Sequence, residues 1–578
     1  MPKKISLKSQ KPHEVKLTQH LIRGQAVQKN DARIWRYRSG TFDIDNDLTL
    51  KRLTKTIASA QKIQELDLQY LRYHEISDLG LYFLSRSFKR LPKLRQLTLS
   101  LGECYQITDK GLHYLCVELK RLSSLESLSL CFAICHVTDK GLHELCNSLK
   151  RSAGLKSLSL NFNCCNKITN AGLASLGKCL KNLGSSLQNL SLDFSVSNEI
   201  TDLGLWTLSD SLENLTSLRS LFLNFSHSNR ITDFGLDSLR KALRCLVPVL
   251  QNINFQFQRC PKITNLGLQS VSKGLESLVL VEYVTLCFSN CLEITDLGLN
   301  HLSKALKNLK VLRNFNLDFS GSKATNTGLG FFSQKLKSVN SLKTLQINFS
   351  LCLQITHTGL YNLSQGLEKL ETLQNLNLCF VECLYISDTG LRDLSKGLKK
   401  LVLLENLEIS FSHCPQVTST GLNHLGEALL SLSSLKKIWL DFSDCFMITD
   451  IGVHKFCHVL KNLTNIIAIG LSFVVCPLFT DAGLYVVCEA LKNLGCLEKV
   501  ILRYGRYSMI NLNGQGNIKR ELNVMATYLA SAGANFLEEE ERRKKKKRVG
   551  MWGNLFRCFV KRPTQNPDIP LSRFPRVV

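Results

Sequence analysis

The sequence lacks the features that mark membrane-spanning and secreted proteins. No apolar run approaches the roughly 18–20 residues that a helix needs to cross a bilayer. The first twenty residues contain no apolar segment of the kind found in secretory signals. We therefore expect a cytoplasmic protein, with the nucleus as the alternative, whose 22 cysteines stay reduced and mostly serve as small buried side chains.

Sequence motifs of the common enzyme classes are also missing. There is no GxxxxGK[ST] phosphate loop, no GxGxxG following a strand and no GxSxG nucleophile turn. No CxxC pair accompanies the cysteines of CFAIC, CFSNC and CFVEC, so four zinc ligands do not converge. The sequence therefore predicts a protein that is not an enzyme and has no cofactor, metal or small-molecule substrate.

Positive charge is concentrated at the two ends of the chain. The net charge is +26, of which residues 1–50 contribute +5 and residues 505–578 contribute +9. The 454 residues between them carry only +12. The ends are therefore basic for their size, and the centre is only mildly so.

What the sequence has in abundance is an internal repeat. The glycine of CYQITDKGL recurs fourteen times at intervals of 30 to 32 residues. A regular period of this length predicts a solenoid, in which each unit buries its apolar face only against its neighbours. The recurring glycines are Gly80, Gly111, Gly141, Gly172, Gly204, Gly235, Gly267, Gly298, Gly328, Gly359, Gly390, Gly421, Gly452 and Gly483.

Each unit combines two hydrophobic periods. In residues 373–401, Leu376 and Leu378 alternate with polar residues, which is typical of a short strand with one buried face. After a turn, leucines recur at helical spacing from Leu391 to Leu398. Each unit is therefore predicted to be a strand, a turn and a helix.

On these residues the chain resembles the leucine-rich repeat family. The LxxLxL core is present in nearly every unit, and the CxxITDxGL that follows is similar to the cysteine-containing and ribonuclease-inhibitor-like subclasses. The resemblance implies an α/β solenoid of about 15 units of about 31 residues. Its curved parallel sheet would lie on the concave face and its helices on the convex face. It further implies a monomeric protein-interaction scaffold. Alternative functions are a substrate-recognition adaptor in ubiquitin ligation and an enzyme regulator, either an inhibitor or a GTPase activator.

The sequence predicts five regions. Residues 1–45 form a basic and largely irregular N-terminal segment, and residues 46–62 form a capping helix. The solenoid occupies residues 63–510. A C-terminal capping helix region, 511–537, follows it, and a basic amphipathic segment occupies 538–578.

A phenylalanine follows the strand in twelve successive units, and its parity is that of the inward-facing leucines. We predict that these rings form a continuous buried row. The alternative is an exposed aromatic stripe. The phenylalanines are Phe132, Phe162, Phe194, Phe225, Phe257, Phe288, Phe319, Phe349, Phe380, Phe411, Phe442 and Phe473.

The aspartate of CYQITDKGL is interpreted as structural. Its position holds Asp in nine units, Asn in three, and Ser419 and His357 in one each. A catalytic carboxylate would not tolerate these exchanges, whereas a helix N-cap would, so we predict that Asp109 caps its helix and that His357 caps weakly. The cysteine, Cys104 in this unit, is predicted to be a small turn residue that makes one weak hydrogen bond.

The exposed strand positions form a polar face with little charge, unlike a nucleic-acid surface. Phe222 and Trp439 interrupt it as large side chains that we expect to be exposed, and exposed aromatics often anchor protein interfaces. The alternative is a merely solubilising surface. The predicted protein-binding residues are Asp193, Phe222, Tyr283, Asp318, Glu408, Trp439 and Asp441.

The C-terminal residues combine a basic run at 538–548 with the apolar and basic stretch VGMWGNLFRCFVKR at 549–562. On a helix, the large apolar side chains of this stretch would share one side, as in segments that bind anionic membranes. A nuclear localisation signal and a solvated charge run are the alternatives. The predicted membrane-binding residues are Lys544, Lys545, Lys546, Lys547, Trp552, Phe556 and Phe559.

Overall fold

The computed structural model describes residues 34–38, 47–59, 62–69, 76–150, 152–505, 508–514 and 516–529. Within them a single 17-stranded sheet runs the length of the repeat. Strands β1 to β16 are parallel, and each pairs in register with the next strand along the chain, whereas β17 pairs antiparallel with β16. The strands are β1 (Ile34–Arg38), β2 (Glu65–Gln69), β3 (Gln96–Ser100), β4 (Ser127–Cys131), β5 (Ser157–Asn161), β6 (Asn189–Asp193), β7 (Ser220–Asn224), β8 (Asn252–Gln256), β9 (Tyr283–Cys287), β10 (Asn314–Asp318), β11 (Thr344–Asn348), β12 (Asn375–Cys379), β13 (Asn406–Ser410), β14 (Lys437–Asp441), β15 (Ala468–Val474), β16 (Lys499–Gly505) and β17 (Ser508–Asn513).

A helix follows each of the first fifteen strands and packs against the helix of the next unit. A short 3-10 turn at Phe88–Arg90 extends the second helix, and residues 516–529 form a further helix after β17. The helices between the strands are α1 (Asp47–Ser59), α2 (Asp78–Ser87), α3 (Asp109–Leu119), α4 (Asp139–Leu149), α5 (Asn170–Asn182), α6 (Asp202–Leu212), α7 (Asp233–Cys245), α8 (Asn265–Leu275), α9 (Asp296–Leu306), α10 (Asn326–Leu336), α11 (His357–Leu367), α12 (Asp388–Leu398), α13 (Ser419–Leu429), α14 (Asp450–Leu460) and α15 (Asp481–Leu491).

The two hydrophobic periods produce the predicted elements. Leu376 and Leu378 of β12 point into the core, and the leucines from Leu391 to Leu398 of α12 are fully buried against them. Neighbouring strands lie about 4.8 Å apart, whereas packed helices need about 8–10 Å, so the array curves with its sheet on the inner side. This is the leucine-rich-repeat solenoid that the sequence predicts.

The row of phenylalanines lies inside the solenoid. From Phe132 to Phe473 every ring is almost fully buried, and successive ring centroids lie 5.8 to 6.5 Å apart. Most neighbours are stacked, but Phe319 meets Phe288 and Phe349 edge to face. The prediction of a continuous buried row is confirmed.

The two ends of the array carry elements that the repeat pattern does not show. Strand β1 lies within the segment predicted to be largely irregular and extends the parallel sheet by one strand. At the other end the range 511–537 begins with the last residues of β17, and its helix occupies 516–529. Ile510 and Leu512 alternate with exposed residues and pack against the core, which explains the extra strand.

The described helices are all too short or too polar to cross a lipid bilayer.

Candidate functional site

In thirteen of the fourteen helices from α2 to α15, the capping residue is the threonine or serine that immediately precedes the helix. Thr108 has an extended backbone, and its hydroxyl accepts a hydrogen bond from the N–H of Lys110 at 3.2 Å. Asp109 is the first residue of α3. The prediction that Asp109 is the N-cap is therefore wrong. Both residue types are good caps, and the shorter hydroxyl side chain of Thr108 takes the role because the helix begins after it.

The aspartate instead joins its unit to the next one. Asp109 Oδ1 accepts hydrogen bonds from the backbone N–H groups of Thr138 at 2.8 Å and Gly141 at 3.1 Å, and Oδ2 accepts from the Thr138 hydroxyl at 2.7 Å. We call this arrangement the Asp bridge. A Cβ atom on Gly141 would lie only 2.4 Å from Asp109 Oδ1, so the recurring glycine makes room for the carboxylate.

Other residues form the same bridge with altered hydrogen bonding. Asn265 Oδ1 accepts from the Thr295 N–H at 2.9 Å, while its Nδ2 donates to the Thr295 hydroxyl at 3.0 Å. Ser419 Oγ accepts from the Thr449 N–H at 3.0 Å. A side-chain oxygen thus joins thirteen of the fourteen successive helix starts from α1 to α15.

The exception is the joint that follows His357. Thr356 caps α11 normally, so the helix that begins at His357 is not itself poorly capped. The imidazole does not bridge to Ser387, the next cap residue, which also makes no side-chain hydrogen bond to its own helix. The weakness predicted at His357 therefore lies between α11 and α12 and not within α11.

The cysteines form a second row of contacts between units. Cys383 Sγ donates to the Phe349 carbonyl at 3.2 Å, and Cys414 Sγ donates to the Phe380 carbonyl at 3.3 Å. Burial raises the pKa of the Cys165 thiol to about 12, so it stays protonated and is a poor nucleophile at neutral pH. These cysteines are buried turn residues, as predicted, but the prediction of one hydrogen bond within the turn is wrong for Cys165, whose Sγ lies 3.2 and 3.3 Å from the carbonyl oxygens of Phe132 and Cys135 in the preceding unit.

The described cysteine, histidine and acidic side chains do not gather into a group of three or more that could hold a metal ion.

Three of the predicted binding residues stabilise the strand-to-helix turn of their own unit. Asp193, Asp318 and Asp441 end their strands, and each Oδ1 accepts from the backbone N–H of the serine two residues later at 3.0 Å. The same serine hydroxyls also donate to Oδ1. The recurring sequence Asp-Phe-Ser at these three places carries this signal, which the sequence analysis missed.

The aromatic residues of the concave face are not equally accessible. Tyr283 is exposed, but Phe222 and Trp439 are half-buried, so the prediction that both are exposed is wrong. Phe222 lies between Ser191 and Asn254 in the sheet register.

Trp439 occupies a space that the next strand leaves open. It is paired in register with Gly470, where an added Cβ would lie 2.2 Å from Trp439 Cε3. The Arg503 guanidinium of β16 lies 5.8 Å from the centre of the indole, within range of a cation–π interaction. The indole is therefore held flat against the sheet by a glycine and an arginine that sequence reasoning did not single out.

Glu408 lies beside Trp439 on the neighbouring strand. Asn377 Nδ2 donates to Glu408 Oε2 at 2.7 Å. Partial removal of water by the surrounding strands raises the pKa of the Glu408 carboxyl above its usual value.

These residues line a groove of about 470 Å³ across β11 to β16. We call it the C-terminal groove and define it by Asn377, Glu408, Lys437, Trp439 and Lys499. It brings together Glu408 and Trp439 of the predicted residues. Asp441 follows Trp439 at the end of β14, whereas the other four predicted residues lie on β6, β7, β9 and β10.

The predicted membrane-binding residues lie outside the described residues. They are Lys544, Lys545, Lys546, Lys547, Trp552, Phe556 and Phe559.

The repeating strands, the Asp bridges and the row of buried phenylalanines together identify the fold. The chain has the fold of the leucine-rich repeat family. No family model matches the sequence, and no curated protein matches it. Among solved structures, one similar chain is found in the crystal structure of the Rad7 and Elc1 complex in yeast. It is 18% identical with a TM-score of 0.39, and the alignment covers 70% of this chain and 85% of that chain.

Proposed function

We propose that the protein is a non-enzymatic interaction scaffold that binds a protein partner in the C-terminal groove. The observation that carries this proposal is the change in the concave face at β13 to β16. Earlier strands mostly present serine and asparagine, whereas these strands present Glu408, Lys437, Trp439, Lys499 and Arg503. Residues at these exposed strand positions are not fixed by packing between units, so a departure from the repeated serine and asparagine is a candidate for function.

The groove has the properties of a preorganised protein-binding site. Trp439 is held between Gly470 and Arg503, so little side-chain entropy is lost when a partner covers it. Half-buried tryptophan is a common energetic anchor in protein interfaces. The exposed carboxylate of Glu408, which lies beside Trp439, favours a cationic or hydrogen-bond-donating group on the partner.

The two lysines give the groove a second preference. Lys437 begins β14 and Lys499 begins β16, so both lie at the same end of their strands, and both are exposed. They favour acidic side chains on the partner. A protein segment that carries both signs of charge around an apolar residue therefore fits the groove best.

The non-enzymatic part of the proposal is supported by the chemistry of the motif residues. Burial keeps the turn thiols protonated, and the motif carboxylates accept hydrogen bonds from the next unit. Neither group is arranged to attack or protonate a substrate. The roles in ubiquitin ligation, enzyme regulation and membrane attachment stay predictions from the sequence.

Comparison of two tryptophan variants tests this proposal. Proteins that co-purify with the wild-type chain from cells should be quantified for Trp439→Ala and for Trp206→Ala. Trp206 is exposed on α6, far from the groove, and serves as the matched control. We expect at least one specific partner to be lost with Trp439→Ala, retained with Trp206→Ala, and rebound by purified wild-type protein.

Loss of binding must be separated from loss of folding. Trp439→Ala should leave the circular dichroism spectrum and the melting temperature close to wild type, because the indole lies on the surface of the sheet and not in the core. Retention of every partner by a folded Trp439→Ala variant contradicts the proposed site.

A further inference from the structure

Each unit returns from its helix to the next strand through a short connection, and these connections share one edge of the solenoid. The order of strand, turn, helix and connection is the same in successive units, and the strands pair in register, so equivalent connections lie side by side. Their spacing lies between that of paired strands and that of packed helices, or about 5–10 Å. This edge is opposite the strand-to-helix turns that hold the Asp bridges.

Two successive connections on this edge are basic. Residues 307–313, between α9 and β10, and residues 337–343, between α10 and β11, contain five basic residues and no acidic residue. The helix dipole favours cations only in the last turn, so it does not explain Lys310, Arg313 and Lys343, which lie beyond the helices. All five basic side chains are exposed, namely Lys307, Lys310, Arg313, Lys337 and Lys343.

Most of this positive charge is not neutralised by neighbouring side chains. Arg313 Nε lies 3.2 Å from Glu282 Oε2 of the preceding unit. Among the described residues, no carboxylate oxygen lies within 4 Å of the ammonium groups of the four lysines. In the basic connection between α2 and β3, by contrast, Lys89 and Arg95 both pair with glutamates of the next unit. The lysines from 307 to 343 therefore create a field that attracts a negatively charged partner.

Aliphatic side chains are exposed beside these lysines. Val311 follows Lys310 and is 39% exposed, and Val279 and Leu280 of the preceding connection are 54% and 43% exposed. The equivalent positions after α3 hold two serines, so the repeat does not require apolar residues there. We call this mixed surface the basic edge. It comprises Val279, Leu280, Lys310, Val311, Lys337 and Lys343.

The combination of lysine with valine and leucine favours an anionic membrane as the partner. Each lysine near an anionic bilayer strengthens binding by about fivefold, and aliphatic side chains enter the boundary between headgroups and acyl chains. A surface for nucleic acid would combine its basic residues with aromatic side chains that stack on bases. The connections 276–282, 307–313 and 337–343 contain no aromatic residue.

We propose that the basic edge binds anionic membranes, so that the solenoid stands on the bilayer with its strands pointing away from the lipid. The concave face then stays accessible to a protein partner while the protein is membrane-bound. This contact is separate from the membrane-binding residues predicted near the end of the chain, and it does not depend on the C-terminal groove.

Lipid photo-crosslinking in the full-length protein tests the proposal. A photo-reactive amino acid at position 279 should cross-link to lipid in vesicles of phosphatidylcholine and phosphatidylserine at about 4:1. Vesicles of phosphatidylcholine alone should give a yield at least about fivefold lower. The same amino acid at position 266, an exposed residue of α8 on the opposite edge, should not cross-link to lipid. Because the yield is read at one position, attachment through the C-terminal residues alone does not reproduce this pattern.

Charge reversal then tests which lysines are responsible. Lys310→Glu/Lys337→Glu should lower the lipid cross-link yield at position 279 by at least about tenfold. Lys110→Glu/Lys140→Glu makes the same change in net charge at the exposed second residues of α3 and α4, and it should leave the yield unchanged. All four lysines are exposed, so both variants should fold, which circular dichroism checks.

Three results overturn the proposal. The first is the absence of lipid cross-links at position 279, or equal cross-linking at positions 266 and 279. The second is an equal loss of yield in the two charge-reversal variants, or no loss in either. The third is binding of duplex nucleic acid that requires Lys310 and Lys337 in a protein that forms no lipid cross-links, since the edge would then serve a different polyanion.

Discussion

The strand-to-helix turns and the C-terminal groove use similar polar residues for different purposes. In the turns, both carboxylate oxygens of Asp233 accept hydrogen bonds from Thr264 and Gly267 of the next unit. In the groove, Glu408 accepts one hydrogen bond from Asn377 and stays exposed. A carboxylate that recurs every 31 residues therefore joins units, and one that appears once is available to a partner.

The same contrast holds for aromatic residues. The phenylalanines of the central row are buried and contact equivalent rings of neighbouring units, mostly by stacking. Trp439 has no such equivalent, and the adjacent strand carries Gly470 to accommodate it. Substitutions in the turns should thus affect stability, and substitutions in the groove should affect binding.

Alkaline pH should have the largest effect, because it acts on buried thiols of the strand-to-helix turns and of helices α3, α14 and α15. Burial raises the pKa of nine thiols to about 12, namely those of Cys104, Cys116, Cys165, Cys260, Cys291, Cys414, Cys457, Cys476 and Cys488. Unfolded thiols ionise near pH 8.5, so between about pH 9 and 12 the unfolded chain releases protons that the folded chain keeps. The free energy of unfolding should fall by about 1.4 kcal/mol per pH unit for each thiol.

Urea titrations at pH 8, 9 and 10 measure this loss. Between pH 9 and 10, Cys414→Ala should show a pH dependence that is shallower by the contribution of one thiol, or about 1.4 kcal/mol per pH unit. A stability that is flat from pH 8 to 10 is incompatible with buried, protonated thiols.

The Asp bridge gives the next largest effect. Asp233→Ala should destabilise the joint between α7 and α8 by about 2–3 kcal/mol, because hydrogen bonds to a charged group are lost. Asp481→Ala is the matched control, since α15 is the last helix of this row and Asp481 makes no hydrogen bond to a following unit within the described residues. Its cost should stay below about 1 kcal/mol. Native-state hydrogen exchange of the α8 and α15 amides reports both values.

Equal losses at the two positions would show that the aspartate acts only within its own helix. The difference between the variants, and not the absolute cost of either, therefore separates an inter-unit role from a local one. Binding to a partner of the groove should be unchanged in both.

Restoring the missing bridge should have the smallest effect, and it should be stabilising. His357→Asp places a carboxylate where the N–H and hydroxyl of Ser387 lack a side-chain partner. We expect the amides of α12 to be stabilised by about 0.5–1.5 kcal/mol, as measured by hydrogen exchange. His357→Asn should reproduce most of the gain, since asparagine forms the bridge at Asn265. Destabilisation by both variants would mean that the imidazole packs favourably at this joint.

The sequence predicts the repeated positions of this protein well, because comparison of the units shows which residue types each position accepts. The buried phenylalanine row and the turn cysteines follow from such repetition. The Asp bridge does not follow from repetition, because it joins residues about 30 positions apart. Its threonine and its aspartate are also both good helix caps. Local sequence therefore could not distinguish a cap from a contact with the next unit.

The groove was only partly predictable for a different reason. Trp439 and Glu408 stand out as exceptions on a polar face, and the structure places both in the groove. The half-burial of Trp439 depends on Gly470 and Arg503, which lie on the next two strands. Their contact with Trp439 becomes evident only when the register of the three strands is known. The same holds for β1, which lies outside the repeat pattern and is recognisable only by its pairing with β2.

The central claim is that the recurring motif joins units, and a double-mutant cycle between Asp233 and Thr264 tests it most directly. The free energy of opening α8 should be measured by hydrogen exchange for wild type, Asp233→Ala, Thr264→Val and the double variant. Because the Thr264 hydroxyl donates to Asp233 Oδ2 at 2.7 Å, we predict a coupling energy of about 1–2 kcal/mol. Additive effects, with coupling below about 0.3 kcal/mol, would contradict the bridge between units.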